Sequence, residues 1–231
     1  MRLVLFDIDG TILSTEGAGR RAMEGALLSA FGTPGASTYR YDGKTDMQIV
    51  RELMREAGMD DAAIDERLPT ILDEYLARLD RELASGELRM VLYEGVLELL
   101  DALERRADRV LGLLTGNLLG GAERKLRAVG IDPQRFRIGA FGSDHEHRPA
   151  LPAIALERWR AMANGAAHGG DRLVIIGDTP ADIDCGRGVG ARAIAVATGH
   201  YSVDTLAAHA PAAVFADLRD TEAVMRAIDA D

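Results

Sequence analysis

The sequence contains a single cysteine, no long apolar run and too few basic residues to balance its acidic ones. Because Cys185 has no second cysteine to pair with, an internal disulfide is excluded, as is typical of proteins from a reducing compartment. No uncharged apolar stretch approaches the roughly 20 residues of a membrane-spanning helix, and Asp7 and Asp9 interrupt the only candidate for a signal peptide. The formal net charge of -10 argues against a nucleic-acid partner, since phosphate backbones attract basic surfaces. We therefore expect a cytoplasmic protein that binds neither membranes nor nucleic acid.

The pattern of strands and helices predicts two domains within the 231 residues. Short Val/Leu/Ile runs, typical of buried parallel strands, alternate with helical patterns through most of the chain. The exception is the stretch from about Ser14 to Gly86, which has a helical pattern and no strand signal. We predict a discontinuous α/β core with a parallel sheet, formed by residues 1–14 and 88–231 and including a glycine-rich linker at residues 164–171. An all-helical cap, residues 15–87, is inserted after the first strand.

Three of the predicted strands end in polar side chains. These are Asp7 and Asp9, Thr115 and Asn117, and Asp178 and Asp182. Because the carboxyl ends of parallel strands lie at one edge of a sheet, the three groups can converge there. Four carboxylates at one place repel each other unless a cation compensates, and carboxylate oxygens are ligands that Mg²⁺ prefers. Such a site suits the binding of a phosphate group, and one of its aspartates can attack that group as a nucleophile.

Four segments, in this order along the chain, resemble the signature motifs of the haloacid dehalogenase superfamily. They are Asp7-x-Asp9-Gly10-Thr11, Leu114-Thr115-Gly116-Asn117, Arg148-Pro149 and Gly177-Asp178-Thr179-Pro180-Ala181-Asp182. The resemblance implies a Rossmann-like core with a C1-type helical cap, and the overall pattern is most similar to phosphoglycolate-phosphatase-like members. It also implies a Mg²⁺-dependent phosphatase that acts on a small phosphorylated metabolite, as a monomer or a homodimer.

The resemblance assigns a role to each matched residue. Asp7 is expected to be the nucleophile that becomes phosphorylated, and Asp9 the general acid and then the general base. Thr115 is expected to contact the transferring phosphoryl group. The metal is expected to be held by Asp7, Asp178 and the main-chain carbonyl of Asp9, with Asp182 orienting metal-bound water. The aspartate at position 9 favours phosphoester hydrolysis, because members that cleave carbon–halogen or carbon–phosphorus bonds typically lack it.

The third motif departs from the family pattern, which usually has a lysine there. We predict that Arg148 supplies this cation, since a guanidinium pairs well with phosphate and carboxylate. The other candidate, Lys125, is expected on an exposed face of its helix. Further substrate contacts are expected from Gly116 and Asn117, together with Thr115, in the core and from Lys44 and Arg20 in the cap.

Two other functions remain open at this point. A β-phosphoglucomutase-like mutase would return the phosphoryl group to a second hydroxyl of a sugar. A non-catalytic receiver-like module also uses a phosphorylated aspartate, but it would be about half this length, with the aspartate on a middle strand. The helical insert and Asp9 argue against this second alternative.

Overall fold

The computed structural model describes residues 1–85, 90–162 and 168–230. The strands are β1 (Arg2–Phe6), β2 (Leu13–Ser14), β3 (Val91–Leu92), β4 (Arg109–Thr115), β5 (Ile138–Phe141), β6 (Leu173–Gly177), β7 (Arg192–Val196) and β8 (Ala213–Phe215). The helices are α1 (Ala18–Phe31), α2 (Asp46–Glu56), α3 (Asp61–Ala84), α4 (Val96–Glu104), α5 (Leu119–Ala128), α6 (Leu151–Met162), α7 (Pro180–Cys185), α8 (Val203–Ala207) and α9 (Thr221–Asp229). None of the helices in these ranges is long and apolar enough to cross a membrane.

The core is a six-stranded parallel sheet in the order β5-β4-β1-β6-β7-β8. The predicted α/β fold is therefore confirmed. Strand β1 is buried along its whole length, as its continuous apolar sequence predicts, because it lies between β4 and β6 with helices on both faces. Val4 and Phe6 pack with side chains of α4, α5 and α9, whereas Leu3 and Leu5 pack with α6 on the opposite face.

The register of β1 with its two neighbours brings the polar strand ends together. Phe6 pairs with Leu113 of β4 and with Ile176 of β6. The residues that follow in each strand therefore reach the same edge of the sheet side by side. The order of the strands also reverses at β1. Strands β4 and β5 extend the sheet on one side of β1, and β6 to β8 extend it on the other. Ligands bind at such a topological switch point.

Helices α1, α2 and α3 form the cap and pack around a second apolar cluster, which also includes Leu118 of the core. This cluster includes Met23 and Leu27 of α1, Leu53 of α2, and Ile64 and Ile71 of α3. The cap is connected to the core through a two-stranded antiparallel ribbon of β2 and β3. The sequence did not predict this ribbon, because strands of two residues are too short to give a periodic pattern. The predicted boundary between residues 87 and 88, and the first half of the predicted linker at residues 164–171, lie outside the described residues.

Candidate active site

Three carboxylates from two strand ends and a helix converge at the edge of the sheet. Asp7 follows β1, Asp178 follows β6, and Asp182 lies in α7. All three are buried, and one oxygen of each lies within 4.8 Å of an oxygen of the other two. Burial, opposed by Arg148 and reinforced by repulsion from Asp182 and Asp9, raises the pKa of Asp7 to about 6. Burial and repulsion from Asp182 and Asp7 also raise the pKa of Asp178. A divalent cation would relieve this repulsion, and the donor set of carboxylate oxygens fits one.

Local hydrogen bonds fix two of these carboxylates. Thr179 is the N-cap of α7, and its main-chain amide and hydroxyl donate to Asp182 Oδ2 at 2.9 and 2.6 Å. The hydroxyl of Thr11 donates to Asp178 Oδ1 at 3.2 Å. Gly10, with φ of 82°, turns the chain beneath Asp178, where a β-carbon on residue 10 would overlap that carboxylate. The side chain at position 10 must therefore be absent for Asp178 to reach the site.

Arg148, the predicted cation of the third motif, lies between two of the three acidic side chains. It is 3% exposed, contacts Asp182 through its guanidinium, and lies 3.4 Å from Asp7 Oδ1. Burial alone would lower the pKa of Arg148, but the charges of Asp182 and Asp7 raise it above its usual value. The guanidinium therefore stays charged and neutralises part of the carboxylate charge.

The loop after β4 places Thr115 and Asn117 beside the carboxylates. Thr115 Oγ1 accepts a 2.8 Å hydrogen bond from Asn117 Nδ2, which leaves the threonine hydroxyl hydrogen free to reach an oxygen in the cavity. Asn117 Nδ2 also lies 2.8 Å from Asp9 Oδ2. The side chain of Asp9 thus turns toward Asn117 and does not join the three-carboxylate cluster of Asp7, Asp178 and Asp182. Ligation through the Asp9 main-chain carbonyl stays a prediction.

The prediction that Lys125 lies on an exposed face of its helix was wrong. Lys125 is 4% exposed, and its ammonium lies 2.8 and 2.7 Å from the two oxygens of Asp9. The spacing of the buried residues of α5, Gly121, Ala122, Lys125 and Leu126, shows why: Lys125 falls one turn after Gly121 on the buried stripe. That spacing was a usable signal, but the covering cap cannot be inferred from α5 alone.

The cap residues expected to bind substrate lie at the cavity, but their charges already have partners. Lys44 Nζ lies 2.5 Å from Glu52 and 2.8 Å from the hydroxyl of Tyr39. Hydrogen bonds from Lys44, Tyr39 and Gln48 outweigh burial and lower the pKa of Glu52 to about 2. Arg20 contacts Glu24 at 2.7 Å and donates to the carbonyl of Tyr39 at 3.1 Å. Substrate contact by either cation therefore stays a prediction.

Asp46 at the start of α2 was not predicted as a site residue, because an acidic residue in the first turn of a helix usually acts only on its own helix. Here its main-chain amide donates to the carbonyl of Gly116, and its carboxylate accepts from the amide of Leu118, both at 2.8 Å. Gly116 has no room for a side chain, because a β-carbon there would overlap the carbonyl of Lys44. The cap thus contacts the loop that carries the site residues Thr115 and Asn117.

Core and cap together line a partly open cavity of about 800 Å³. Asp7, Asp9, Thr115, Lys125 and Asp178 line its core side, and the cap contributes Arg20, Tyr39 and Lys44. The cavity therefore has room for a small molecule whose anionic end reaches the three-carboxylate cluster.

Comparison with known proteins links this geometry to one family. The model of the haloacid dehalogenase-like hydrolase family matches residues 4–187. A phosphoglycolate phosphatase of Rhodospirillum rubrum is 28% identical over 225 residues, covering 94% of this chain and 87% of the relative. A phosphoglycolate phosphatase of Synechococcus elongatus is 24% identical over 220 residues, covering 91% of each chain. The solved structure of a hydrolase from Pseudomonas syringae has a TM-score of 0.73, with 21% identity over the full length of both chains.

Proposed function

Because the chain belongs to the haloacid dehalogenase-like hydrolase family, we propose that it is a Mg²⁺-dependent phosphatase that hydrolyses a small phosphomonoester through a phosphorylated aspartate. The observation that carries the proposal is the convergence of Asp7, Asp178 and Asp182 at a cavity lined by core and cap, next to the hydroxyl of Thr115. These residues belong to the predicted motifs and lie within residues 4–187, which the family model matches.

The first half of the reaction forms the phosphorylated enzyme. A carboxylate oxygen of Asp7 attacks phosphorus, and the bond from phosphorus to the ester oxygen breaks. Asp9 donates its proton to that oxygen, which leaves as an alcohol. The hydroxyl of Thr115 and the guanidinium of Arg148 stabilise charge on the phosphoryl oxygens.

The second half restores Asp7. Asp9, now a carboxylate, takes a proton from a water molecule as that water attacks phosphorus. The bond between phosphorus and Asp7 breaks, and inorganic phosphate is released. One aspartate thus serves both steps, so its carboxyl group must face the leaving oxygen and then the attacking water.

The three-carboxylate cluster is the proposed Mg²⁺ site. Asp7 and Asp178 would hold the ion, Asp9 would contribute its main-chain carbonyl, and Asp182 would orient a bound water. When bound, the cation neutralises charge between the attacking carboxylate and the dianionic phosphoryl group. The raised pKa values of Asp7 and Asp178 support this assignment, because they mark carboxylates that lack sufficient positive charge around them.

Phosphoglycolate is the first substrate that we propose. The support comes from the relatives of Rhodospirillum rubrum and Synechococcus elongatus, which carry the name phosphoglycolate phosphatase. The cavity of about 800 Å³ between core and cap supports a small metabolite, since it is in the size range of small-molecule sites. A cytoplasmic location is part of the same proposal and is supported by the lone cysteine.

Phosphate release from a panel of phosphoglycolate, sugar phosphates and nucleoside monophosphates tests the proposal. With Mg²⁺ we expect release from at least one ester, loss of release on chelation, and loss in Asp7→Asn. An unchanged rate in Asp7→Asn would contradict the nucleophile. Recovery of an isomerised sugar phosphate without free phosphate would instead identify a mutase.

A further inference from the structure

Lysine is rare in this chain, and its position is therefore informative. Arginines make up all but two of the 27 basic residues. The two lysines, Lys44 and Lys125, both line the cavity. Lys44 is paired within the cap, whereas Lys125 reaches the candidate acid–base residue from the core.

The ammonium of Lys125 has as many partners as it has N–H donors. It contacts Asp9 Oδ1 at 2.8 Å, Asp9 Oδ2 at 2.7 Å and Asn117 Oδ1 at 2.7 Å. Asn117 Nδ2 then closes the group with its own 2.8 Å hydrogen bond to Asp9 Oδ2. We call these three side chains the Asp9 clamp. Both oxygens of the Asp9 carboxyl group therefore have a hydrogen-bond partner within the Asp9 clamp.

The cap lies against the lysine end of the Asp9 clamp. Gly19 of α1 lies so close that a β-carbon there would be 3.2 Å from Lys125 Nζ, and the Tyr75 hydroxyl is next to the same place. Asp46 lies close enough for its charge to interact with that of Lys125. The Asp9 carboxyl group itself is 44% exposed, so it could rotate freely toward water without these partners. Among the described residues, only Lys125 and Asn117 form hydrogen bonds to the Asp9 carboxyl group and so restrict its rotation.

We infer that Lys125, with Asn117, is a positioning residue that orients the Asp9 carboxyl group for proton transfer. The inference rests on the proposed phosphatase function. Asp9 must give a proton to the ester oxygen as its bond to phosphorus breaks, and misalignment of about 1 Å can cost on the order of 100-fold in rate. The hydrogen bonds of the Lys125 ammonium go to Asp9 and Asn117 and not to the three-carboxylate cluster, so we place its effect on the reaction at Asp9.

The dependence on the leaving group distinguishes positioning of an acid from general damage. An alkyl phosphate needs a proton on its leaving oxygen, whereas p-nitrophenolate leaves readily without one. Lys125→Met keeps the length of the side chain and removes its charge. Because Asp9 also serves the second step, which is the same for both esters, the comparison uses kcat/KM, which reports only the steps up to release of the alcohol. For an alkyl phosphate we expect kcat/KM to fall about 100-fold, and for p-nitrophenyl phosphate only about threefold. Lys125→Arg is expected to recover part of the lost rate, because a guanidinium can donate to both Asp9 oxygens.

The matched control is Arg127→Met, on the same helix two residues away. Arg127 forms only an exposed ion pair with Glu123, so its loss should leave both rates unchanged. Thermal unfolding of each variant verifies that it is folded. An equal loss of kcat/KM on both esters in folded Lys125→Met would overturn the inference.

A spectroscopic measurement tests the Asp9 clamp without activity. With ¹⁵N-labelled lysine, the chain should give two side-chain ammonium signals, and that of Lys125 should exchange slowly with water. Asn117→Ala should accelerate exchange for Lys125 and leave the Lys44 signal unchanged. Rapid exchange of Lys125 in an active wild-type enzyme would overturn the clamp alone. A protected Lys125 in a wild type that hydrolyses no ester would overturn the proposed function, and with it the catalytic part of the inference.

Discussion

The main-chain amide of Asp46, in the cap, donates a 2.8 Å hydrogen bond to the carbonyl of Gly116, in the core. The carboxylate of Asp46 accepts a second 2.8 Å bond from the amide of Leu118. Asp46 of the cap thus forms hydrogen bonds to both residues that flank Asn117. Closure of the cap and the placement of Asn117 are therefore linked through the same contacts.

The first prediction concerns the side-chain half of this contact. Asp46→Ala removes a buried acceptor and leaves the Leu118 amide unpaired, which costs about 1–3 kcal/mol. Because the contact joins the cap to the core beside the cavity, we expect KM to rise about tenfold, with a smaller effect on kcat. Steady-state kinetics on the preferred ester measure this. Asp46→Asn keeps an acceptor oxygen and should retain most of the affinity; a KM in Asp46→Ala equal to that of wild type would contradict the role of the contact.

The second prediction uses the absence of a side chain at Gly116. In Gly116→Ala the added methyl group would overlap the carbonyl of Lys44, so the cap cannot reach its observed position. We expect KM to rise by about tenfold or more while the thermal stability of the core changes little. Gly188→Ala is the matched control, because no atom lies within 4 Å of the position that its β-carbon would take. Equal kinetics in the two variants would show that closure does not need this close approach.

The third prediction is that removing the proposed nucleophile stabilises the metal-free protein. The pKa of Asp7 is raised to about 6 in the folded chain, above its unfolded value, so ionisation of this group disfavours folding. The loss of folding free energy caused by ionised Asp7 is absent below pH 4 and grows between pH 4 and 6. Above pH 6 it is complete and is on the order of 3 kcal/mol. With EDTA, Asp7→Asn should therefore unfold at a higher temperature than wild type at pH 7.5, and the gap should shrink toward pH 5.

Calorimetry across this pH range, with and without Mg²⁺, measures the gap. Mg²⁺ should stabilise wild type more than Asp7→Asn, since the variant loses a charged ligand. A gap that stays constant from pH 5 to 7.5 would show that the Asp7 carboxyl is not the source of the difference.

The sequence predicted those parts of the site that depend on local patterns. Asp7, Thr115 and Asp178 follow short apolar runs that are typical of buried parallel strands, so a common edge of the sheet could be predicted for them. The surroundings of Lys125 and Asp46 were not predicted, because each contacts a part of the chain far away in sequence. A helical pattern indicates which face of a helix is covered, but not which charged groups the covering domain brings.

The last prediction concerns Arg148, which alone among the described basic side chains contacts both Asp7 and Asp182. Arg148→Met leaves two buried carboxylates without their cation, a change that typically costs about 3–5 kcal/mol. We expect that loss in urea unfolding with EDTA, and a smaller one with Mg²⁺, because the metal would neutralise the same carboxylates. Arg158→Met serves as control, since Arg158 pairs with Asp144 at the surface and its removal should cost less than about 1 kcal/mol.

The size of the Mg²⁺ effect decides what Arg148 does. If Mg²⁺ restores the stability of Arg148→Met while phosphate release stays low, the guanidinium acts on the phosphoryl group as well as on the carboxylates. If Mg²⁺ restores both, Arg148 serves only to balance charge. If Mg²⁺ restores neither, the three carboxylates are not a metal site, because a cation bound among them would replace most of the missing positive charge.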